Sequence, residues 1–332
     1  LATNTINMRS NYSDFVNTLY LHIVKTFYAK GKVLLCGEYA VMAGIEALAL
    51  PVMDGQWLSV WEVVTKGNSK IVWQSKNPDG SVWLDCRMDT DIMHLAESTN
   101  YEIGNTLLHI LREVKLQKPN FFDHKTIRVE TNCEFSRNYG LGTSSTLIST
   151  ISDWTGVNAF DLQAAVFGGS GYDVAVCKTG KPVVYWIENE EPNWEPWHLE
   201  PNLTEHWFLA FPGTKMNSRN ALGSVKEKLN ALKNDTLMLH QLSACIQAIK
   251  NPRSIPLLEA MLEMWQALLS QYLEIPKAYD DLAIKPVQGG LCKWLGAWGG
   301  DVLLVNEKIL AEYQSTFENM DVVKWNEYVL SK

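Results

Sequence analysis

From Tyr101 to Leu116 the apolar residues Ile103, Leu107, Leu108, Ile110, Leu111 and Val114 recur at helical intervals, forming one buried stripe. Similar stripes predict helices over Ala221–Leu232, Leu237–Ile249, Ile255–Leu273 and Glu307–Phe317, and a shorter one around Asp161–Phe167. Strands carry a different pattern. Thr126–Thr131 alternates apolar and polar positions, and Val33–Cys36 is a continuous apolar run closed by Gly37, as in a fully buried strand. Trp57–Val64, Lys70–Gln74, Pro182–Ile187, Trp207–Phe211 and Asp301–Val305 have the β-branched and aromatic content of strands. Asn77-Pro78-Asp79-Gly80 is turn chemistry. Acids, prolines and tryptophans crowd together between Glu188 and Pro201, which reads as a loop and a seam between domains. Helices and strands alternate without a regular βαβ beat, so the expected fold class is α+β rather than a doubly wound sheet.

The densest local signal is Asn138-Tyr139-Gly140-Leu141-Gly142-Thr143-Ser144-Ser145-Thr146, just ahead of the apolar run Leu147–Ile151. Its glycines let successive N–H groups curl into one concavity, and its hydroxyls can cap the following helix or hold a cation. A helix start offers free N–H donors and partial positive charge, so the stretch is either a phosphate cradle or a capped helix after a tight turn. Further glycine islands at Gly168–Asp173 and Gly296–Asp301, and the lysines of Ala29-Lys30-Gly31-Lys32, favour the cradle. It is not a Walker A loop, because Gly31-Lys32-Val33 and Gly180-Lys181-Pro182 lack the preceding glycine spacing and the following hydroxyl residue. No protein-kinase catalytic loop is present, and no G-x-G-x-x-G opens a first βα unit.

Composition narrows the function classes. The 332 residues suffice for about two domains, and 46% hydrophobic content argues for a full core. A net charge of −8 excludes a broad nucleic-acid face but leaves room for a local basic pocket. The six cysteines are far apart, without C-x-x-C pairs or zinc spacing, and are expected to be buried reduced thiols. No apolar run approaches the length of a membrane span, and Leu1–Thr26 has no compact apolar segment of the kind that marks secretion. A cytoplasmic protein is expected, and the start without Met suggests an artificial boundary or a processed end.

Taken in order, these islands resemble the motifs of the GHMP kinases, the superfamily of galactokinase, homoserine kinase, mevalonate kinase and phosphomevalonate kinase. Ala29–Val41 is similar to the first motif, Gly140–Ser145 to the glycine/serine ATP loop, and Lys293-Trp294-Leu295-Gly296-Ala297-Trp298-Gly299-Gly300-Asp301 to the third motif. Gly169-Ser170-Gly171-Tyr172-Asp173-Val174-Ala175 and Gly213–Arg219 look most like the mevalonate/phosphomevalonate branch.

The resemblance implies a two-domain α+β fold: an N-terminal mixed-sheet ATP-binding domain over 1–200 and a C-terminal ferredoxin-like domain over 201–332. It implies ATP and Mg²⁺ as cofactors, and a small-molecule acceptor, mevalonate or phosphomevalonate. No nucleic-acid or membrane partner is expected, and the state is monomer or homodimer. Asp173 and Lys32 are the implied catalytic pair. Gly140, Leu141, Gly142, Thr143, Ser144 and Ser145 hold the nucleotide, with Ser144 also a metal ligand. Glu38, Tyr39, Lys215, Ser218, Arg219 and Gly299 contact the acceptor.

Plainer roles stand beside these. Asp173 can be a turn or cap residue, Lys32 a surface lysine, Glu38 a helix-start acid, Ser144 an N-cap, and Lys215, Ser218 and Arg219 a solvated turn. This sequence also departs from the family pattern. Tyr39 stands where mevalonate kinases usually have His, and Trp298 where Gly is usual. The metal-binding Glu expected shortly before Gly169 has no counterpart, Asp161 being the nearest acid. The rival readings are an ATP-dependent decarboxylase of the diphosphomevalonate type, a sugar kinase, and a catalytically silent nucleotide-binding homologue.

Overall fold

The strands β1 (Val24–Cys36) and β2 (Ala47–Val64) form a long antiparallel ribbon, and the site is built on it. A computed structural model describes residues 24–213, 223, 225–296, 298 and 302–332. The apolar run Val33–Cys36 is only the end of β1. The strand extends back through the lysines, with a register shift between Lys30 and Lys32. β3 (Lys70–Lys76), β4 (Val82–Asp89), β5 (His94–Ser98), β6 (Lys125–Cys133), β7 (Val183–Glu188) and β8 (Glu191–Pro196) complete an eight-stranded sheet. Its order is β5-β4-β3-β6-β2-β7-β8, with β1 also beside β2. The β3–β6 pair is parallel and the other pairs are antiparallel, so the sheet is mixed.

Four helices cover this sheet: α1 (Tyr101–Gln117), α2 (Thr143–Thr155), α3 (Ala159–Val166) and α4 (Tyr172–Thr179). The stripe of α1 does what its periodicity predicts: Leu107, Leu108 and Leu111 bury against Ile71, Trp73, Ile127 and Val129, beside Ile148 and Ile151 of α2. Asn100 caps α1 by accepting from the Ile103 N–H at 3.2 Å.

The second sheet comprises β9 (Trp207–Phe211), β10 (Cys292–Leu295), β11 (Val302–Asn306) and β12 (Asp321–Lys324), in the antiparallel order β10-β11-β9-β12. This is the strand order of a ferredoxin-like unit, and it is packed with α5 (Lys226–Leu232), α6 (Thr236–Lys250) and α7 (Ile255–Leu273). The α+β reading therefore holds. A single core joins the sheets: Val33, Leu35, Leu48 and Leu50 share it with Trp207, Leu209, Leu242, Leu262, Trp265 and Leu303. The C-terminal end returns to the ribbon, where the Leu330 N–H donates to the Pro51 carbonyl at 2.9 Å.

Two sequence expectations fail. Glu188–Pro201 is not all loop, since β8 pairs with β7 along its length. As the outer strand it tolerates Pro192 and Pro196, which would break a central one. The helix predicted over Glu307–Phe317 is interrupted at Tyr313, leaving Glu307–Glu312 and Gln314–Phe317. The expected thiols are found: all six cysteines are free and buried. Among the described residues, no helix is long and apolar enough to cross a membrane.

Candidate active site

The glycine/hydroxyl loop lies against β1. The Lys32 N–H donates to the Leu141 carbonyl at 2.9 Å, and Lys32 Nζ donates to the Gly140 carbonyl at 3.2 Å. This approach requires a glycine at position 31. A Cβ there would sit 2.9 Å from both Phe135 Cε1 and Val52 Cγ2, and 3.1 Å from the Leu141 oxygen. Gly142, at φ 90°, is the N-cap of α2, and no side chain caps the helix. The first-turn amides are thus left to an external acceptor, at the end of the helix where negative charge is favoured. Thr146 anchors the first turn to β2 by donating to Gln56 Oε1 at 2.6 Å.

Asp173 comes from a separate helix. It is in the first turn of α4, behind the Gly171 cap. Its Oδ2 accepts from Ser145 Oγ at 2.6 Å, and its Oδ1 accepts from the Val174 N–H at 3.1 Å. The glycine island is pinned from the sheet, because the Tyr185 hydroxyl donates to the Ser170 carbonyl. Lys32 closes the group: it is buried, with Nζ 5.5 Å from the Tyr172 ring centroid. Burial, with Asp173 and Glu38 adding to it, pushes the Tyr172 phenol up to about 12 against the opposing pull of Lys32. The Cys177 thiol is pushed up by burial and by Asp173, while Lys32 pulls it down, so both charges act on one buried atom. Asp173, Lys32 and the loop Gly140–Ser145, remote in sequence, are therefore neighbours.

Glu38 is placed differently. Its carboxylate is buried and pairs with Lys293 of β10, not with Lys32. Its other oxygen accepts from Trp265 Nε1 at 2.7 Å. Burial pushes the Glu38 carboxyl up, and Lys293 opposes this. Tyr39, beside it, is half-buried and takes φ 59°, a left-handed conformation uncommon for a non-glycine residue. Lys215, Ser218, Arg219 and Gly299 lie outside the described residues. Trp294 faces the core and donates to Asp281 Oδ2 at 2.7 Å, whereas the buried Trp298 Nε1 has no hydrogen-bond partner among the described residues.

Sequence reasoning missed Lys293, Trp265, Tyr172 and Gln163. Lys293 opens the third motif and Tyr172 adjoins Asp173, so proximity to the motifs was a usable signal for both. Trp265 and Gln163 carried none.

The residues present fit a bound triphosphate. The loop is glycine-kinked, the helix start is uncapped, and a Cβ at Gly142 would fall 3.1 Å from Lys32 Cε, so the cradle leaves no spare room there. For Mg²⁺ the nearby oxygen donors are the exposed Ser144 hydroxyl, Ser145 and Asp173, a hard-oxygen set suited to an ion that keeps water and phosphate ligands. Among the described residues, no group of three or more His, Cys, Asp or Glu is placed to hold a metal ion. Asp161 is exposed on the first turn of α3. The buried Gln163 donates to the Gly168 carbonyl at 3.0 Å, and its Oε1 has no partner.

No family model matches the chain, and no curated protein matches it by sequence. Solved structures do. L. major mevalonate kinase in complex with R-mevalonate superposes with a TM-score of 0.65 at 12% identity, over 92% of this chain and 96% of that one. Methanococcus jannaschii mevalonate kinase gives 0.64 at 14% identity, over 95% and 100%. Streptococcus pneumoniae phosphomevalonate kinase in complex with phosphomevalonate and AMPPNP gives 0.60 at 14% identity, over 90% and 98%. These neighbours are GHMP kinases, and the chain has their fold.

Proposed function

We propose that this chain, built on the GHMP kinase fold, is an ATP-dependent small-molecule kinase whose acceptor is mevalonate or phosphomevalonate. One observation carries the reading: the hydrogen bond from Ser145 to Asp173, which ties the uncapped phosphate loop to the only carboxylate in this group of residues. The triphosphate lies along Gly140–Ser145, on the first-turn amides of α2. Lys32 supplies positive charge beside the loop. Asp173 orients the acceptor hydroxyl and takes its proton as the new O–P bond forms and the bond to ADP breaks. Ser144 would hold Mg²⁺ together with phosphate oxygens and water, and the ion would supply further charge neutralisation. The helix dipole contributes about 0.3–1 kcal/mol per charge at exposed sites and about 2 at most, so the lysine is needed beside it.

The finer assignments belong to the same proposal. Residues 1–200 form the nucleotide-binding unit and 201–332 close the site. Lys215, Ser218 and Arg219 grip the anionic end of the acceptor, Tyr39 lines it, and Gly299 shapes the pocket. The neighbours crystallised with R-mevalonate and with phosphomevalonate support this acceptor class.

The test is ADP release with magnesium and, in parallel, mevalonate, phosphomevalonate, diphosphomevalonate and galactose. Turnover with either of the first two is expected. Carbon dioxide released together with ADP from diphosphomevalonate would replace the reading with a decarboxylase. Turnover of galactose alone would make it a sugar kinase. Calorimetric nucleotide binding with no turnover of any acceptor would leave a silent homologue.

A further inference from the structure

We infer that Glu38 and Lys293 are positioning residues, a buried ion pair that fastens the first-motif turn to β10 and so sets the acceptor end of the site. The inference rests on the kinase reading above for its consequence in turnover, though not for the clamp itself. The pair spans 255 positions of sequence, and its side chains are 1% and 0% exposed. Both carboxylate oxygens are engaged, one by Lys293 and one by Trp265 of α7. Lys293 Nζ also donates to the Trp294 carbonyl at 2.8 Å. Glu38 is thus buried with both oxygens engaged, and its effect on chemistry passes through the turn it anchors.

That turn is tight. The Ala40 N–H donates to the Glu38 carbonyl at 2.5 Å, the Val41 N–H to Gly37 at 3.1 Å, and the Met42 N–H to Tyr39 at 3.0 Å. Tyr39 is held left-handed between them, a conformation that persists where the surroundings over-determine it. The Glu38 charge also reaches the Tyr172 phenol, over whose ring Lys32 sits. The first and third motifs, which begin on different sheets, are joined at this pair.

The variants E38Q, K293M and E38Q/K293M test the inference. Gln keeps the acceptor for Trp265, and Met keeps the volume of the lysine stem. Each single change leaves one buried polar partner unmatched, and the unfolding midpoint falls. The double change removes both charges and recovers most of it. If the pair positions the turn, the double variant still exchanges the amide hydrogens of residues 37–44 at least tenfold faster than wild type. It also keeps an acceptor KM raised about tenfold or more, while its Kd for AMPPNP with magnesium stays within about twofold, since small misplacements are costly to reaction geometry. A double variant with wild-type exchange at 37–44 would overturn the inference, as would a recovered acceptor KM. Failure of the wild type to bind AMPPNP would remove the kinase reading, and amide exchange would still decide the clamp.

Discussion

Asp173 has one oxygen bonded by Ser145 and the other by its neighbour's N–H, so its carboxylate is oriented before any ligand arrives. Asp173→Asn keeps the shape but removes the proposed base. Turnover should fall by about 10²–10⁴-fold, with AMPPNP affinity nearly unchanged. Ser145→Ala should cost about tenfold to a hundredfold, the worth of one hydrogen bond to a charged group. Wild-type-like turnover of the Asn variant in an ADP-release assay would remove Asp173 from the mechanism. Elsewhere, carboxylates govern the response to acid. Burial raises the Glu130 carboxyl, but Lys76 and Arg128 outweigh it, and the net shift is below the ordinary 4.5. A carboxyl lowered in the folded state stabilises above its unfolded value, and that stability is lost as pH falls through the folded value. Glu130→Gln should therefore flatten the loss of unfolding midpoint below about pH 4.5. The closeness of Asp173, Lys32 and the loop was expected from motifs whose glycines and hydroxyls stand out locally. The partner of Glu38 was not, since nothing near it in sequence indicates Lys293.

At the scale of elements, α2 joins the glycine/hydroxyl loop to the core. Its buried residues Ile148 and Ile151 pack under the sheet while its N-terminus stays uncapped at Gly142. Gly142→Ala puts a side chain at φ 90°, costing about 1–2 kcal/mol, and sets its methyl 3.1 Å from Lys32 Cε. Nucleotide affinity should fall at least tenfold by calorimetry, with a lower unfolding midpoint. An unchanged affinity would mean that the phosphates do not rest there. The elements read correctly from sequence include the long periodic helices α1 and α7 and the short strand β9. Two short ones escaped: α4 follows glycines without a stripe of its own, and β8 carries prolines that only its outer position permits. Pairing partners, rather than composition, made these segments regular.

Across the whole molecule, the sheets share one apolar core, and the glycine/hydroxyl loop touches both. Tyr139, at the head of the loop, stacks on Phe211 of β9 with ring centroids 4.3 Å apart, and its hydroxyl donates to Asp321 of β12. Tyr328 reaches back to Asp54 Oδ2 at 2.9 Å. The two halves should therefore melt in one calorimetric transition. A nucleotide present at a hundred times its Kd should raise stability by about 2.7 kcal/mol. Two separated transitions would contradict a shared core. The sequence by itself determined the α+β class, the long helices and the chemistry of the loop, because periodicity, glycines and hydroxyl caps act over a few residues. Only the tertiary structure decided that Asp173 meets Ser145, that Glu38 is spent on Lys293, and that a proline-rich stretch becomes a strand. Those outcomes depend on which distant segments exclude water together, and local pattern does not encode that.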